Sequence, residues 1–343
     1  MINLYTYINE AKTPTNSFNL VAVGDALCHK NLHDYAQKNG YDNIFTEYKL
    51  NKNDLNFYNQ ESIIGGGEFH GSFFKREQHT VQPHFNSTPD FANVFLRQGF
   101  NLVSLANNHT LDMDGDAVRH SIKFWKNKNV ISTGQYLNDE ERFKERIYTK
   151  NGIKFAFFAY TDKINTKYND PLHPFYRNDF DYDLARKDIE SIRDKVDVII
   201  VSIHWGSEHT FTSNQDQRDI AKFFSELGVH IVLGHHSHCV QTTEWVGNTF
   251  VAYSLGNFVA SQENERISSV IGLQLSINIC KTKNGVTIKP KGRLLYFHRS
   301  PARDFFKLFY LDNVDKTYLP DRDVLLRQYW DVVNRFNALE KDF

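Results

Sequence analysis

The chain has 343 residues, of which 41% are hydrophobic and 24% charged, and its formal net charge is -1. This length suits one large α/β domain or two small domains, and either can bury a large core. The near-zero charge excludes a global basic field that would draw the protein to nucleic acid or anionic lipid. Three widely spaced cysteines without a CxxC pair exclude a zinc knuckle.

Short apolar runs alternate with helical patterns along the chain. In the first half, the sequence predicts strands over residues 18–23, 55–58 and 100–105, and helices over 89–98 and 115–128. In the second half, it predicts strands over 153–160, 196–203, 229–233 and 250–253, helices over 183–194, 214–227 and 321–338, and a hairpin pairing 268–280 with 286–297. This alternation predicts an α/β fold with mixed sheets.

Polar side chains of metal-ligand type follow five of the apolar strands by only a few residues. They are Asp25, Glu61, Asn108, His204 and His236. In open α/β sheets, ligands bind at the carboxyl ends of the strands, so these side chains are expected to converge on one site. Each has an ordinary alternative when taken singly: a turn-forming Asp or Asn, an exposed acid, or a hydrogen-bonded core histidine.

His236 and His238 form an i, i+2 pair in a loop just after a strand. Such a pair can direct two imidazoles at neighbouring points and suits two metal ions about 3.5–4 Å apart. The adjacent His235 leaves the register of the ligands open. His29 and Glu208 are further residues that could bind or line the site.

Asn107, Asn108 and His109 follow another buried strand. An Asn carbonyl oxygen is a neutral metal ligand, and the adjacent His109 could protonate a leaving group. Asp112 is a candidate to orient His109, with helix capping as the alternative.

The sequence also resembles the CapA family, which is associated with capsule and poly-γ-glutamate biosynthesis. The resemblance covers residues 18–260 and departs from the family's pattern at Gln60 and Ser237. The segments that carry it are 105–109 with Asp112 and Gly115 (LANNHxxDxG), 152–157 (GIKVAF), 204–208 (HWGxE), 234–238 with Val240, Gln241 and Glu244 (GHHPHVxQxxE), and 253–258 (YSLGNF).

The resemblance implies a calcineurin-like metallophosphatase fold, in which helices sandwich two mixed β-sheets in four αββα layers. It also implies two divalent ions, of Mn, Fe or Zn, and a bridging water that attacks the substrate. Glu61 is the expected bridging ligand, His109 and Asp112 are the expected catalytic residues, and Trp205 and Asn257 are candidates for substrate binding. The implied metal ligands are Asp25, Glu61, Asn108, His204, His236 and His238, and the further candidates are His29, Asn107, Glu208 and His235.

The expected organisation is a lead-in over 1–16, a CapA-like metallophosphoesterase domain over 17–300 and a C-terminal helical extension over 301–343. The N-terminus lacks the features of a signal peptide and no apolar run is long enough to span a membrane, so a cytoplasmic location is expected.

Two functions remain open on sequence grounds. The chain could be a metal-dependent hydrolase acting on a phosphoester or a γ-glutamyl amide, with an anionic or polymer-related substrate. Alternatively, it could be a non-catalytic, metal-containing component that binds polymer or assembles with other capsule-biosynthesis proteins. No nucleic-acid partner is expected.

Overall fold

The structure is a computed structural model that describes residues 16–68, 84–165, 173–262 and 266–342, together with the backbone of residues 70 and 71. Residues 1–15, nearly all of the predicted lead-in, lie outside the described part. The strands are β1 (Ser17–Leu27), β2 (Leu55–Gln60), β3 (His70–Gly71), β4 (Phe85–Asn86), β5 (Leu102–Ser104), β6 (Ile131–Thr133), β7 (Ile147–Lys150), β8 (Ile153–Thr161), β9 (Val198–His204), β10 (Ile231–His235), β11 (Thr243–Val246), β12 (Thr249–Ala252), β13 (Asn257–Ala260), β14 (Ile271–Thr282), β15 (Gly285–Arg299), β16 (Phe306–Tyr310) and β17 (Glu340–Lys341).

Helices connect many of these strands. They are α1 (Lys30–Asn39), α2 (Pro89–Gln98), α3 (Gly115–Lys126), α4 (Asp139–Arg142), α5 (Tyr182–Ile192), α6 (Gln215–Glu226) and α7 (Arg322–Val333), with short 3-10 segments at Tyr41–Phe45, Arg193–Lys195 and Ile267–Val270. Among the residues that the structure describes, we find no helix with the length and apolar character to cross a membrane.

Two mixed sheets form the centre of the described part. The first has the order β16-β15-β14-β1-β2-β5-β6, with β13 also paired to β1 and β17 to β15, and the second has the order β11-β12-β10-β9-β8-β7. One apolar cluster joins the two sheets, with Phe57 from the first and Phe157 and Ile200 from the second. The sheets therefore pack face to face.

Helices cover the outer face of each sheet, because each helix carries one apolar stripe. Leu32 of α1 and Phe91 of α2 pack in the outer core of the first sheet. Ile189 of α5 and Ile220 of α6 pack in that of the second sheet. The result is the four-layer αββα arrangement that was predicted.

The predicted elements are confirmed with shifted ends, and several elements were not predicted. Helix α2 has the predicted bounds, and α7 ends at Val333 instead of at residue 338. The sequence patterns missed α1, β11 and β13. The predicted helical extension over 301–343 contains α7, but it also contains β16, which pairs with β15, and Leu311 and Val333 pack in the core between the sheets. This segment is therefore part of the main fold, since its apolar residues complete that core.

Strand β1 extends to Leu27, beyond its predicted end, because β13 pairs with its last residues and Asp25 lies opposite Asn257. Gly24 permits this arrangement: a Cβ atom at that position would lie 1.8 Å from the carbonyl oxygen of Gly256. The close approach places Asn257 beside Asp25 at the carboxyl edge of the sheets.

Candidate metal centre

The predicted ligands converge at the carboxyl ends of the parallel strands. Asp25 lies near the end of β1, Glu61 follows β2, and Asn108 follows β5 by four residues. In the second sheet His204 ends β9, while His236 and His238 follow β10. All six side chains are buried. The convergence brings ligand-type residues of both sheets into one site.

Glu61 is the most informative member of this group. Its carboxylate is completely buried, and neither oxygen has a hydrogen-bond partner in the described residues. Its Oε1 lies 3.6 Å from Nε2 of His204 and 3.6 Å from Nε2 of His238. Burial, reinforced by the charge of Asp25, raises the pKa of Glu61 well above its usual value. Such a carboxylate needs a compensating positive charge.

His204 and His236 face each other with Nε2 of the first 3.1 Å from Nδ1 of the second. Burial lowers the pKa of His204 well below its ordinary value and that of His236 to about 3, and each is lowered further by a neighbouring histidine. Both rings are therefore neutral at pH 7. A neutral imidazole has the lone pair with which histidine binds metals.

The loop after β10 holds its two histidines in an uncommon backbone conformation. His236 has a φ of 87° and His238 a φ of 54°, in the left-handed region that non-glycine residues rarely occupy. Such residues cost about 1–3 kcal/mol each and cluster at functional sites. The turn is held by Ser237, whose carbonyl accepts a hydrogen bond from the His209 amide at 2.7 Å.

The spacing of these donor atoms fits a metal ion. Metal–ligand bonds of about 2.1 Å in octahedral or tetrahedral geometry separate neighbouring donors by about 3.0–3.4 Å. The His204–His236 and the two Glu61–histidine separations are 3.1, 3.6 and 3.6 Å. A second set of donor atoms also lies close together. It has one atom from each of three residues, Asp25, Glu61 and His238, and these atoms all lie within 4.8 Å of one another. Carboxylate and imidazole donors together suit Mn, Fe or Zn.

Asn108 and Asn107 have different roles. The Asn108 amide is fully buried, and neither its oxygen nor its nitrogen has a partner in the described residues, which leaves the oxygen free for a metal. The Asn107 amide donates to the Gln60 carbonyl at 2.9 Å and accepts from the His109 backbone at 3.0 Å. Asn107 therefore builds the turn and is not available as a ligand.

His109 and Asp112 form a buried pair beside this turn. His109 Nδ1 lies 2.6 Å from Asp112 Oδ2, and the same oxygen accepts a hydrogen bond from the Phe85 amide at 2.7 Å. The Phe85 ring packs edge-on against His109, with centroids 4.8 Å apart. This arrangement fixes the imidazole orientation and directs Nε2 away from the carboxylate.

Three of the further candidates lie beside the ligand group. His235 is in the last position of β10, where its Nδ1 lies 3.0 Å from Asp25 Oδ1 and its ring packs on Phe57. His29 is buried with its Nδ1 close to the Leu27 carbonyl and the Ser261 amide, and burial lowers its pKa to about 3. The Glu208 side chain is 39% exposed and approaches His209.

These three residues differ in their relation to the predicted ligands. His235 supports Asp25: burial alone would raise the pKa of Asp25, but the contact with His235 and the nearby His238 hold it below its usual value. In the described part of the chain, His29 Nδ1 contacts backbone groups and its ring packs on Phe85, so neither contact is with a predicted ligand. Glu208 is at the exposed rim of the site.

The two substrate-binding candidates are corrected by the structure. Trp205 is fully buried, donates its indole N–H to the Tyr253 carbonyl at 2.8 Å and stacks on that ring, so it is a core residue. Asn257 is also buried: its Oδ1 accepts from His238 Nδ1 at 2.9 Å and its amide nitrogen donates to the Ser269 carbonyl at 2.8 Å. Asn257 therefore positions a predicted ligand and has no free group for substrate.

Asn59 is a site residue that the sequence reasoning missed. Its amide nitrogen donates to Asp25 Oδ1 at 2.8 Å and lies 3.3 Å from His204 Nδ1, so it connects predicted ligands from both sheets. Its position in the sequence could have identified it. Asn59 lies on β2 two residues before Glu61, and side chains two residues apart on a strand lie on the same side.

Comparisons with known proteins agree with this architecture. The crystal structure of a proposed 5'-nucleotidase from Staphylococcus aureus, solved with α-ketoglutarate, superposes with a TM-score of 0.50 at 12% identity, over 92% of this chain and 58% of that one. At this identity the likeness concerns the fold alone. The chain has the calcineurin-like phosphoesterase fold.

Two curated relatives match most of the chain. The PGA biosynthesis protein CapA of Bacillus subtilis (strain 168) is 27% identical over 252 residues, which are 70% of this chain and 62% of the relative. The capsule biosynthesis protein CapA of Bacillus anthracis is 25% identical over 264 residues, 71% of this chain and 60% of the relative. The chain thus spans less than two thirds of either relative's length.

The profile of one protein family matches residues 19–262, which include all the predicted metal ligands. The chain belongs to the family of bacterial capsule synthesis proteins, PGA_cap.

Proposed function

We propose that this protein is a metal-dependent hydrolase of the metallophosphoesterase type that acts in capsule or poly-γ-glutamate biosynthesis. The observation that carries the proposal is the group of buried polar atoms at the site without a hydrogen-bond partner in the described residues, chiefly those of the Glu61 carboxylate and the Asn108 amide. Native proteins rarely leave such groups unsatisfied, so a bound ligand is expected at this site. The neutral imidazoles around them make a divalent cation the fitting ligand.

Six residues would hold two divalent ions, and among them Glu61 lies between His204 and His238. The two ions, when bound, would supply Lewis-acid activation of the substrate and of a water nucleophile. The six residues are Asp25, Glu61, Asn108, His204, His236 and His238. His235 and Asn59 would hold Asp25 in place from outside the ligand group.

His109 would act as the general acid. Asp112 holds its Nδ1, so a proton on Nε2 can be delivered to the leaving group. Asp112→Asn is expected to lower kcat by about 10²- to 10⁴-fold, because an amide no longer stabilises the protonated imidazole or enforces its tautomer. Steady-state kinetics on a phosphoester substrate measures the effect, and the metal content should not change.

Asp114→Asn is the matched control for this substitution. Asp114 caps α3 through a hydrogen bond from the Ala117 amide, and Asn caps helices equally well. Equal turnover in Asp112→Asn and the wild type would contradict the role given to Asp112.

Asn257 would fix the tautomer of His238. Since its Oδ1 accepts from Nδ1, the lone pair of His238 is on Nε2, the atom that lies 3.6 Å from Glu61. Asn257→Ala is expected to weaken metal binding by about 10- to 100-fold, the usual effect of removing such a partner. Titration of the metal-free protein with Mn²⁺ or Zn²⁺ measures the affinity.

Asn257→Asp keeps an acceptor at the same place and should lose less affinity than Asn257→Ala. Asn278→Ala, at an exposed position of β14, is the neutral control. Metal affinity that is the same in Asn257→Ala and the wild type would show that His238 does not need this partner.

The substrate class is inferred from the family. The relatives' names refer to PGA and capsule biosynthesis, which favours an anionic or polymer-related substrate and contact with other capsule-biosynthesis proteins. Hydrolysis of a phosphoester fits the fold, and hydrolysis or transfer at a γ-glutamyl amide fits the family names. A non-catalytic polymer-binding component is the alternative function.

Elemental analysis of the purified protein, paired with a panel of phosphoester and γ-glutamyl substrates, tests the proposal. Two divalent ions per chain and metal-dependent turnover of one substrate class are the expected result. Bound metal and polymer binding without turnover would favour the non-catalytic component. Absence of stoichiometric metal after reconstitution with Mn²⁺, Fe²⁺ or Zn²⁺ would overturn the metal centre itself.

A further inference from the structure

A cavity of about 250 Å³ lies apart from the candidate metal centre, between α3, β6 and the segment that begins with α4. None of its lining residues belongs to the metal site. A water molecule takes about 30 Å³ of liquid volume, so the cavity could hold about eight waters or one small metabolite. Its lining is rich in charged and polar side chains, and these decide which ligand fits.

One cation of the lining has its own carboxylate partner. Lys126 pairs with Glu141 Oε1, and Glu141 Oε2 accepts a hydrogen bond from the Leu137 amide at 3.1 Å. The Glu141 carboxylate is therefore satisfied by the protein. Its charge acts mainly on Lys126 and more weakly on Arg146, with which it forms no ion pair.

Two further cations line the cavity without a carboxylate partner. Among the described residues, neither Lys144 nor Arg146 forms an ion pair with a carboxylate, since Glu141 pairs with Lys126 and Glu145 with Lys195. The Arg146 guanidinium is held in place by the backbone carbonyls of Arg142 and Lys144, both at 2.9 Å, and lies over the Tyr136 ring at 4.5 Å. The cavity thus has a fixed positive charge and a second one on a flexible side chain.

Trp125 supplies an independent observation. Its side chain lines the cavity and is 1% exposed, and its indole N–H has no acceptor within the described ranges. An indole N–H buried in this way usually finds a partner. A ligand oxygen in the cavity would be such a partner, near two cations that form no ion pair with a carboxylate of the described residues.

We propose that this cavity is a binding site for a small oxyanion, a molecule that carries a carboxylate or a phosphate group. Lys144 and Arg146 provide the charge, and Trp125, a lining residue whose indole N–H is unpaired, provides a donor. Gln135 adds an amide to the lining. Charge-assisted hydrogen bonds from such groups are the usual means of binding carboxylate and phosphate.

Isothermal titration of the full chain, stripped of divalent ions with EDTA and then freed of EDTA by gel filtration, tests this site, with succinate and inorganic phosphate as the probes. The chelator removes divalent ions, so binding is independent of the metal centre and of the proposed hydrolase activity. The wild type is expected to bind at least one probe saturably with a stoichiometry of one. The two probes distinguish a carboxylate site from a phosphate site.

Two variants decide whether binding occurs in this cavity. Lys144→Gln is expected to weaken binding about tenfold, by loss of a charge-assisted contact, and Trp125→Phe about fivefold, by loss of one donor. Lys123→Gln, an exposed residue of α3 outside the cavity, is the control and should bind as the wild type does. No saturable binding of either probe, or an affinity that both variants leave unchanged, would overturn the proposal.

Discussion

Glu61→Gln is expected to release at least one of two bound metal ions and to lower turnover by about 10³-fold or more. Glu61 is the only buried carboxylate of the described residues whose two oxygens both lack a partner, and it faces His204 and His238. A neutral amide of the same shape lacks the negative charge that would compensate the cations. Elemental analysis and the rate of phosphoester hydrolysis measure the two effects.

The same substitution should leave the metal-free fold intact. Glutamine removes a carboxylate whose burial is costly, so the Tm of Glu61→Gln in EDTA should equal or exceed that of the wild type. Metal at 100 times its Kd stabilises a protein by about 2.7 kcal/mol, and this gain should largely disappear in the variant.

Glu208→Gln, at the exposed rim, is the matched control and should retain both ions. Two ions and normal turnover in Glu61→Gln would remove Glu61 from the site.

Asp188→Ala is expected to destabilise the protein by about 3–5 kcal/mol, because it breaks a buried ion pair by removing one partner. Arg142 is 1% exposed and donates to both Asp188 oxygens, at 2.9 and 2.7 Å, while the Tyr160 hydroxyl donates to the same carboxylate at 2.7 Å. Removing the carboxylate leaves a guanidinium buried without its counter-charge. Urea denaturation measures the loss.

Asp34→Ala is the control, because it removes an exposed ion pair instead of a buried one. Lys30 and Asp34, both on α1, are each at least half exposed. An exposed pair of this type contributes about 0–1 kcal/mol, so this variant should be nearly neutral. A loss of the same small size in Asp188→Ala would mean that water or another group replaces the buried carboxylate.

The sequence predicted where the candidate ligands gather because their positions depend on local patterns. His204 directly ends a run of β-branched residues, and Glu61 follows a short apolar run. In a parallel sheet the residue that follows each strand lies at the same edge, so strand prediction alone brings these side chains near one another. Six ligand candidates could therefore be assembled from one sequence.

The partners of these side chains could not be predicted in the same way. Asn107 and Asn108 are adjacent and chemically identical, yet one amide is used by the turn and the other is free. Trp205 belongs to the same motif as His204, but it points into the core, because successive residues near a strand end face opposite sides.

The amino-acid sequence by itself determined the α/β class, most of the strands and helices, and the ligand types that gather at the strand ends. Only the tertiary structure decided which groups orient those ligands, such as Asn59 and Asn257, and which segments complete the sheets, such as β13 and β16. The physical reason is the range of the interactions. Apolar periodicity acts over a few neighbouring residues, whereas Asn257 meets His238, and β13 meets β1, only after distant parts of the chain have packed together.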